Sequence, residues 1–401
     1  MSLRSLSLVG LAAALSFGVP LTARAAVYID SDRTVAQGNA LNGNYNFNTV
    51  VVGMNAQGQR IGGVTVDVVA PASLGFSDQT GGGMLVFSDA LVNWQGGSSL
   101  HLSPTGNGGG MELFDTSRAV VSGGELASLH ITGPAAGAAG PQAVLQGGLI
   151  DNSRGVTSIV TNGRLHITGG TLSSSRTTLG GQPALAANNG SVVSIAGGRV
   201  SSAAGSALVA SGTAVIDVSG GRIVGLAGSN ITPAVYLSDL VTAAQLHGGV
   251  IEGGLRARQG LPGAPNRLQA VLSDQLQVQG SVVAAEHAQI EVRGGRYADS
   301  FAEFVALGSE DITFVGQGLT LSGPVAATFY DINPYAGSIY TFTAGTLADG
   351  RSAVGLRVFD ASAAPGGIAL VSSVPEPSAV ALLLAGVGVV AARTRRRRVP
   401  A

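Results

Sequence analysis

Leu165-His166-Ile167-Thr168-Gly169-Gly170 and Ile216-Asp217-Val218-Ser219-Gly220-Gly221 share one pattern: two apolar residues in alternation, a small polar residue, then a glycine doublet. It recurs at 119–124 (AVVSGG), 143–148 (AVLQGG), 193–198 (VSIAGG), 244–249 (AQLHGG) and 290–295 (IEVRGG). Successive starts lie 24, 22, 28, 23, 28 and 46 residues apart, the last interval reading as two periods of 23 around one degenerate copy. A second element runs beside it at 158–163 (SIVTNG), 184–190 (ALAANNG), 207–212 (ALVASG) and 234–239 (AVYLSD). Steps of two are the period of a half-buried strand. Strands this short bury an apolar face only by stacking against copies of themselves.

The expected fold is therefore all-β: a right-handed parallel β-helix, or solenoid, with two or three short strands per circuit and glycine doublets at tight corners. About 270 residues at ~24 per circuit predict roughly 11 circuits. A β-sandwich or a propeller is the alternative, and propeller blades want a longer period of ~40–50 residues. The related Leu129 to Gly133 (LHITG) lies 36 residues before its twin at Leu165, which is not one period, and belongs on a different face. Upstream, VVVG at 50–53, VTVDVV at 64–69 and MLVF at 84–87 are weaker strands. From Tyr297 to Val371 aromatics concentrate, including Phe301, Phe304, Phe314, Phe329, Phe342 and Phe359. This region reads as a β-rich cap over an end that would otherwise template aggregation. Val27 to about Pro71 is the candidate cap of the other end. The domain reading is 1–25 leader, 26–296 repeat region, 297–371 cap and 372–401 tail.

Composition excludes several function classes. All 22 basic residues are arginine, so lysine Schiff-base and P-loop lysine chemistry are absent. There is no cysteine, hence no thiol nucleophile and no zinc–thiolate site. Seven arginines sit at the two ends, leaving a body of 15 Arg against 22 Asp plus Glu, which argues against nucleic-acid binding. Nothing between Val27 and Val371 approaches the ~18 uninterrupted apolar residues of a membrane span.

The two ends read as addresses. Arg4, the apolar stretch Leu6 to Val19, Pro20 and Ala23-Arg24-Ala25 form a secretory signal helix with cleavage expected before Ala26. At the other end Pro375-Glu376-Pro377 precedes 14 apolar residues, Ala379 to Ala392, and then Arg393 and Arg395, Arg396, Arg397 and Arg398. As a helix this run spans ~21 Å, short of the ~30 Å hydrocarbon core, and arginine stems can snorkel to close part of the gap. Pro-Glu-Pro, a short hydrophobic helix and an arginine cluster resemble the PEP-CTERM sorting signal. That resemblance implies recognition by an exosortase, removal at or near Pro-Glu-Pro, transient anchoring in the inner membrane of a Gram-negative bacterium, and delivery to the cell surface or extracellular matrix. It also implies a setting of exopolysaccharide and biofilm. Thr346-Leu347-Ala348-Asp349-Gly350 resembles a short motif found near the C-terminal end of such proteins.

Catalysis on a β-helix needs carboxylates, or an arginine with a base, gathered on one face. The candidates are Asp151 with Arg154, His166, Asp217 with Arg222, and Asp239. His166 and Asp217 hold the same position in their units and should point outward on a shared face two rungs apart. Neither the paired-aspartate pattern of polygalacturonases nor the arginine and aspartate motifs of pectate lyases is present. Phe114-Asp115-Thr116-Ser117 resembles half an aspartic-protease site without its second half. Gly106-Asn107-Gly108-Gly109-Gly110 lacks the helix and lysine of a phosphate loop. His101, His130, His166, His247 and His287 never fall in zinc-ligand spacing. Asp30 and Asp32 are the candidate calcium ligands, although the repeat that binds calcium in other β-helices is absent. No cofactor and no catalytic or metal site is expected. The leading expectation is a non-enzymatic surface or matrix protein in contact with exopolysaccharide; the alternative is a carbohydrate-active enzyme. An autotransporter passenger is disfavoured, because no C-terminal barrel of alternating strands is present.

Overall fold

The computed structural model describes residues 26–372 apart from 37–48, 77–82, 102–109, 135–138, 153–155, 178–181, 227–231, 239–242, 260–268, 308–310, 331–333 and 362–366. Both terminal segments expected to be helical lie outside these residues. The described chain is all-β, with no helix.

Each circuit of the chain lays its strands in parallel beside those of the circuit before, in three ladders. The first runs from Val27–Ile29 through Val50–Val52, Met84–Val86 and onward to Phe304–Leu307, by eleven successive parallel pairings. The second carries the glycine-doublet units. Ala119, Ala143, Leu165, Val193, Ile216, Ala244, Ala270, Ile290 and Ile312 form one continuous file of register partners. None of the nine is more than 2% exposed. The third ladder follows each doublet, as in Leu149–Asp151, Thr171–Ser174 and Arg199–Ser202. The whole forms a nearly closed, barrel-like sheet around one core.

The degenerate copy is Ala270-Val271-Leu272, which stacks between Ala244 and Ile290. The 46-residue interval thus splits into 26 and 20. Its corner has no doublet; Asp274 takes the left-handed conformation there, at φ 55°. Leu129–Thr132 pairs with Ser158–Thr161 in the first ladder, while its sequence twin at Leu165 lies in the second. The weaker upstream strands are full members of the stack, and Val27–Ile29 is already a rung.

The two glycines of a doublet answer different demands. The second, as in Gly198 at φ 72°, needs the left-handed region that L side chains avoid. The first is a close approach: a Cβ on Gly197 would lie 2.3 Å from the Thr168 carbonyl oxygen of the preceding circuit. Ladder spacing of ~4.8 Å leaves no room for it.

Parallel stacking continues past Tyr297, through Phe304–Leu307, Asp311–Leu321, Arg357–Asp360 and Ile368–Ser372. The aromatics divide into two clusters. Tyr297, Phe304, Phe314 and Phe342 follow one another inside the final circuits, with ring centroids 4.6–4.9 Å apart. Phe301, Phe329 and Phe359 pack with Val283 and Val305 in a separate cluster. Val325–Tyr330 and Pro334–Leu347, an antiparallel pair, extend the first ladder beyond its last parallel rung.

Candidate functional site

Outward side chains alternate with core ones along every rung, so polar residues line up across circuits. On the second ladder His166, Ser194, Asp217 and Gln245 are consecutive register partners. His166 and Asp217 therefore share a face two rungs apart, with Ser194 between them. Asp217 pairs instead with His247, whose Nε2 lies 2.9 Å from its Oδ1. His247 stands one residue past the core residue Leu246 and reaches back diagonally across one rung.

Several other described candidates have neighbours of their own. Asp151 accepts hydrogen bonds from Ser173 Oγ (2.7 Å) and Ser175 Oγ (2.8 Å). Arg222 pairs with Glu252 at 2.5 Å. Arg154 and Asp239 lie outside the described residues, as do 106–109 of the glycine-rich loop. Asp115 is a corner residue at φ 54°, accepting from the Ser88 N–H and pairing with Arg60 at 3.1 Å. Arg60 in turn lies 4.1 Å from the centre of the Phe87 ring, which stacks on Phe114. Asp32 accepts the Thr65 N–H at 2.8 Å, a strand-joining role. Among the described residues no group of three or more His, Asp and Glu is placed to hold a metal ion.

Three partnerships escaped sequence reasoning. Glu303, 7% exposed, accepts from the backbone N–H of Arg357 (2.8 Å) and from its Nη2 (3.0 Å). That bond raises the Arg357 guanidinium pKa above its ordinary value. Glu286 does the same for Arg258. Asp349, in the Thr346 to Gly350 turn, accepts from the Gly295 N–H at 3.0 Å and so plugs the last doublet corner. Burial, with the Asp349 carboxylate beside it, pushes the Tyr297 phenol well above its usual range. The Glu303–Arg357 pair spans 54 residues of sequence, and no local pattern announces it.

These sites are spread over separate rungs, and Asp32, Asp115, Asp151, Asp217, Glu303 and Asp349 are met by Ser, His, Arg or backbone N–H neighbours. An exposed pair such as Asp217–His247 contributes little stability. Asp217→Asn is therefore expected to change the unfolding free energy read from a urea titration by less than about 0.5 kcal/mol.

Residues 373–398 match the family model of the PEP-CTERM protein-sorting motif. The matched stretch contains Pro375, Glu376, Pro377 and the terminal arginines up to Arg398. The chain thus carries the mark of an exported protein sorted by an exosortase. No curated protein and no solved structure matches the chain.

Proposed function

We propose that this is a non-enzymatic protein of the cell surface or extracellular matrix, built as a right-handed parallel β-helix that contacts exopolysaccharide along its polar ladders. The observation that carries this reading is dispersal. Hydroxyl, amide and charged side chains recur rung after rung, as in Asn188 with Ser211 and Asp67 with Asn93. Such a surface suits a long polymer that repeats its own hydrogen-bonding groups. The right-handed sense follows from the strong preference of parallel crossovers.

Export begins, in this reading, with cleavage before Ala26, one residue ahead of the first strand. It ends with exosortase removal of the arginine tail after a transient stay in the inner membrane. Mass spectrometry of the mature protein from surface and membrane fractions tests this. The expected product starts at Ala26 and stops near Pro375; a surface-localised product retaining Arg395 to Arg398 would sink the sorting half of the proposal.

The Asp217–His247 pair favours a second reading, a carbohydrate-active enzyme, because an imidazole oriented by a carboxylate is a usable base. Incubation with pectin, alginate and the producer's own polysaccharide separates the two. The first reading expects no new reducing or unsaturated ends; release that disappears in Asp217→Asn would establish the second.

A further inference from the structure

We propose that the C-terminal end of the stack rests on the lipid surface while the sorting tail is still attached. Of six large apolar side chains exposed among the described residues, five lie at or beyond Val325, on the antiparallel pair, in the turn before Arg357–Asp360 and on the final parallel strand. They are Val325 (66%), Tyr330 (72%), Val354 (58%), Leu370 (41%) and Val371 (46%), while the sixth, Val192 (37%), lies far back in the stack. Exposed apolar side chains scattered singly need no explanation; a set confined to one end does.

The path of the chain points to what covers that end. The final strand, Ile368–Ser372, is the last parallel rung of the second ladder, and the matched motif begins at the next residue. From Ser372 to Ala379, where the apolar run starts, the chain reaches at most about 25 Å even when fully extended. The run itself is 14 residues, shorter than the ~20 a hydrocarbon core demands. Such a mismatch draws flanking residues toward the interface. The end of the stack is thereby brought to the headgroup region, where an exposed tyrosine and branched aliphatics are at home. The opposite end stands away from the bilayer, and the polar ladders remain free along the sides.

This inference rests on the sorting-tail reading, and the test separates the two. Trp94 is the sole tryptophan and is fully buried, so a second tryptophan reports on its own surroundings. The full chain is reconstituted into phosphatidylcholine–phosphatidylglycerol vesicles, with and without lipids brominated near the headgroup, as Val325→Trp, Val354→Trp and the control Val192→Trp. The expected result is flotation of all three, with emission from the two end positions quenched at least twofold and the control unquenched. Flotation without quenching at the end positions overturns the docking proposal and leaves the tail reading standing. Equal quenching at Val192→Trp, or a blue shift that bromine does not quench, overturns it in favour of general adsorption or of self-association. Failure to float overturns the tail reading and the docking proposal together.

Discussion

Gly197→Ala destabilises the middle of the stack by about 3 kcal/mol, the upper part of the range for overpacking a closed interior. The added Cβ meets the Thr168 carbonyl oxygen at 2.3 Å and its carbon at 3.0 Å. Both are backbone atoms, so no rotamer change relieves the contact. The neighbouring amides hold them in place: Ala196 N–H and Gly197 N–H both reach the Ile167 carbonyl, at 2.8 and 3.2 Å. Two controls divide the effect. Gly58, at φ 78° with nothing within 4 Å, isolates backbone strain, and its alanine variant should lose about 1 kcal/mol. Gly323 has neither a left-handed φ nor a near neighbour, and its variant should be neutral. Urea unfolding followed by circular dichroism reads all three. Because a stacked repeat contacts only its neighbours, the Gly197 variant should also split one transition into two. A Gly197 variant as stable as the Gly323 variant would mean that the doublets are not packed circuit against circuit.

The doublets were legible because both glycines answer to backbone geometry, which leaves a residue-type signature at every circuit. The unit starts at Ala119, Ala143, Leu165, Val193, Ile216, Ala244 and Ile290 all fall in one file for that reason. What varies is the corner, where insertions cost little because loop closure grows slowly with length. Val50 pairs with Met84, 34 residues on, whereas Met111 pairs with Leu129, only 18 on. That irregularity blurred the period upstream of Ala119, while the 36-residue offset of Leu129 from Leu165 reflects a different ladder, as the spacing indicated. The candidate site was half legible. Alternation placed His166 and Asp217 on one outward face, but the partner of Asp217 is His247, a diagonal neighbour on the next rung. Same-position comparison misses diagonals, although they lie within reach of a long side chain. The last circuits were legible only as aromatic-rich strands, because their final parallel pairings, Phe304 with Val358 and Ile312 with Ile368, join residues some 55 positions apart and leave no period.

One such pairing makes the second large prediction. Arg357→Ala is expected to cost about 3 kcal/mol, the lower end of the range for breaking a buried ion pair, since Arg357 itself is partly exposed. The side chain does more than neutralise Glu303. Its guanidinium also donates to the Asp299 carbonyl at 2.6 Å and the Ser300 carbonyl at 3.3 Å, closing the loop that leads into Phe304–Leu307. Arg357–Asp360 is the strand on which the antiparallel pair rests, through Ser338 to Thr341. Loss of Arg357 should therefore release the outer cluster of Phe301, Phe329 and Phe359 before the core of the stack. Amide exchange is expected to accelerate in 325–360 and to stay slow at Leu165 and Ile216. Glu303→Gln keeps an oxygen for the Arg357 backbone N–H and removes the buried charge, so it should cost less than Arg357→Ala. The double variant should be less destabilised than the sum of the two, because the charge that Arg357→Ala strands is no longer there. Strict additivity, or uniform acceleration of exchange along the whole chain, would show that this pair does not fasten the end of the stack.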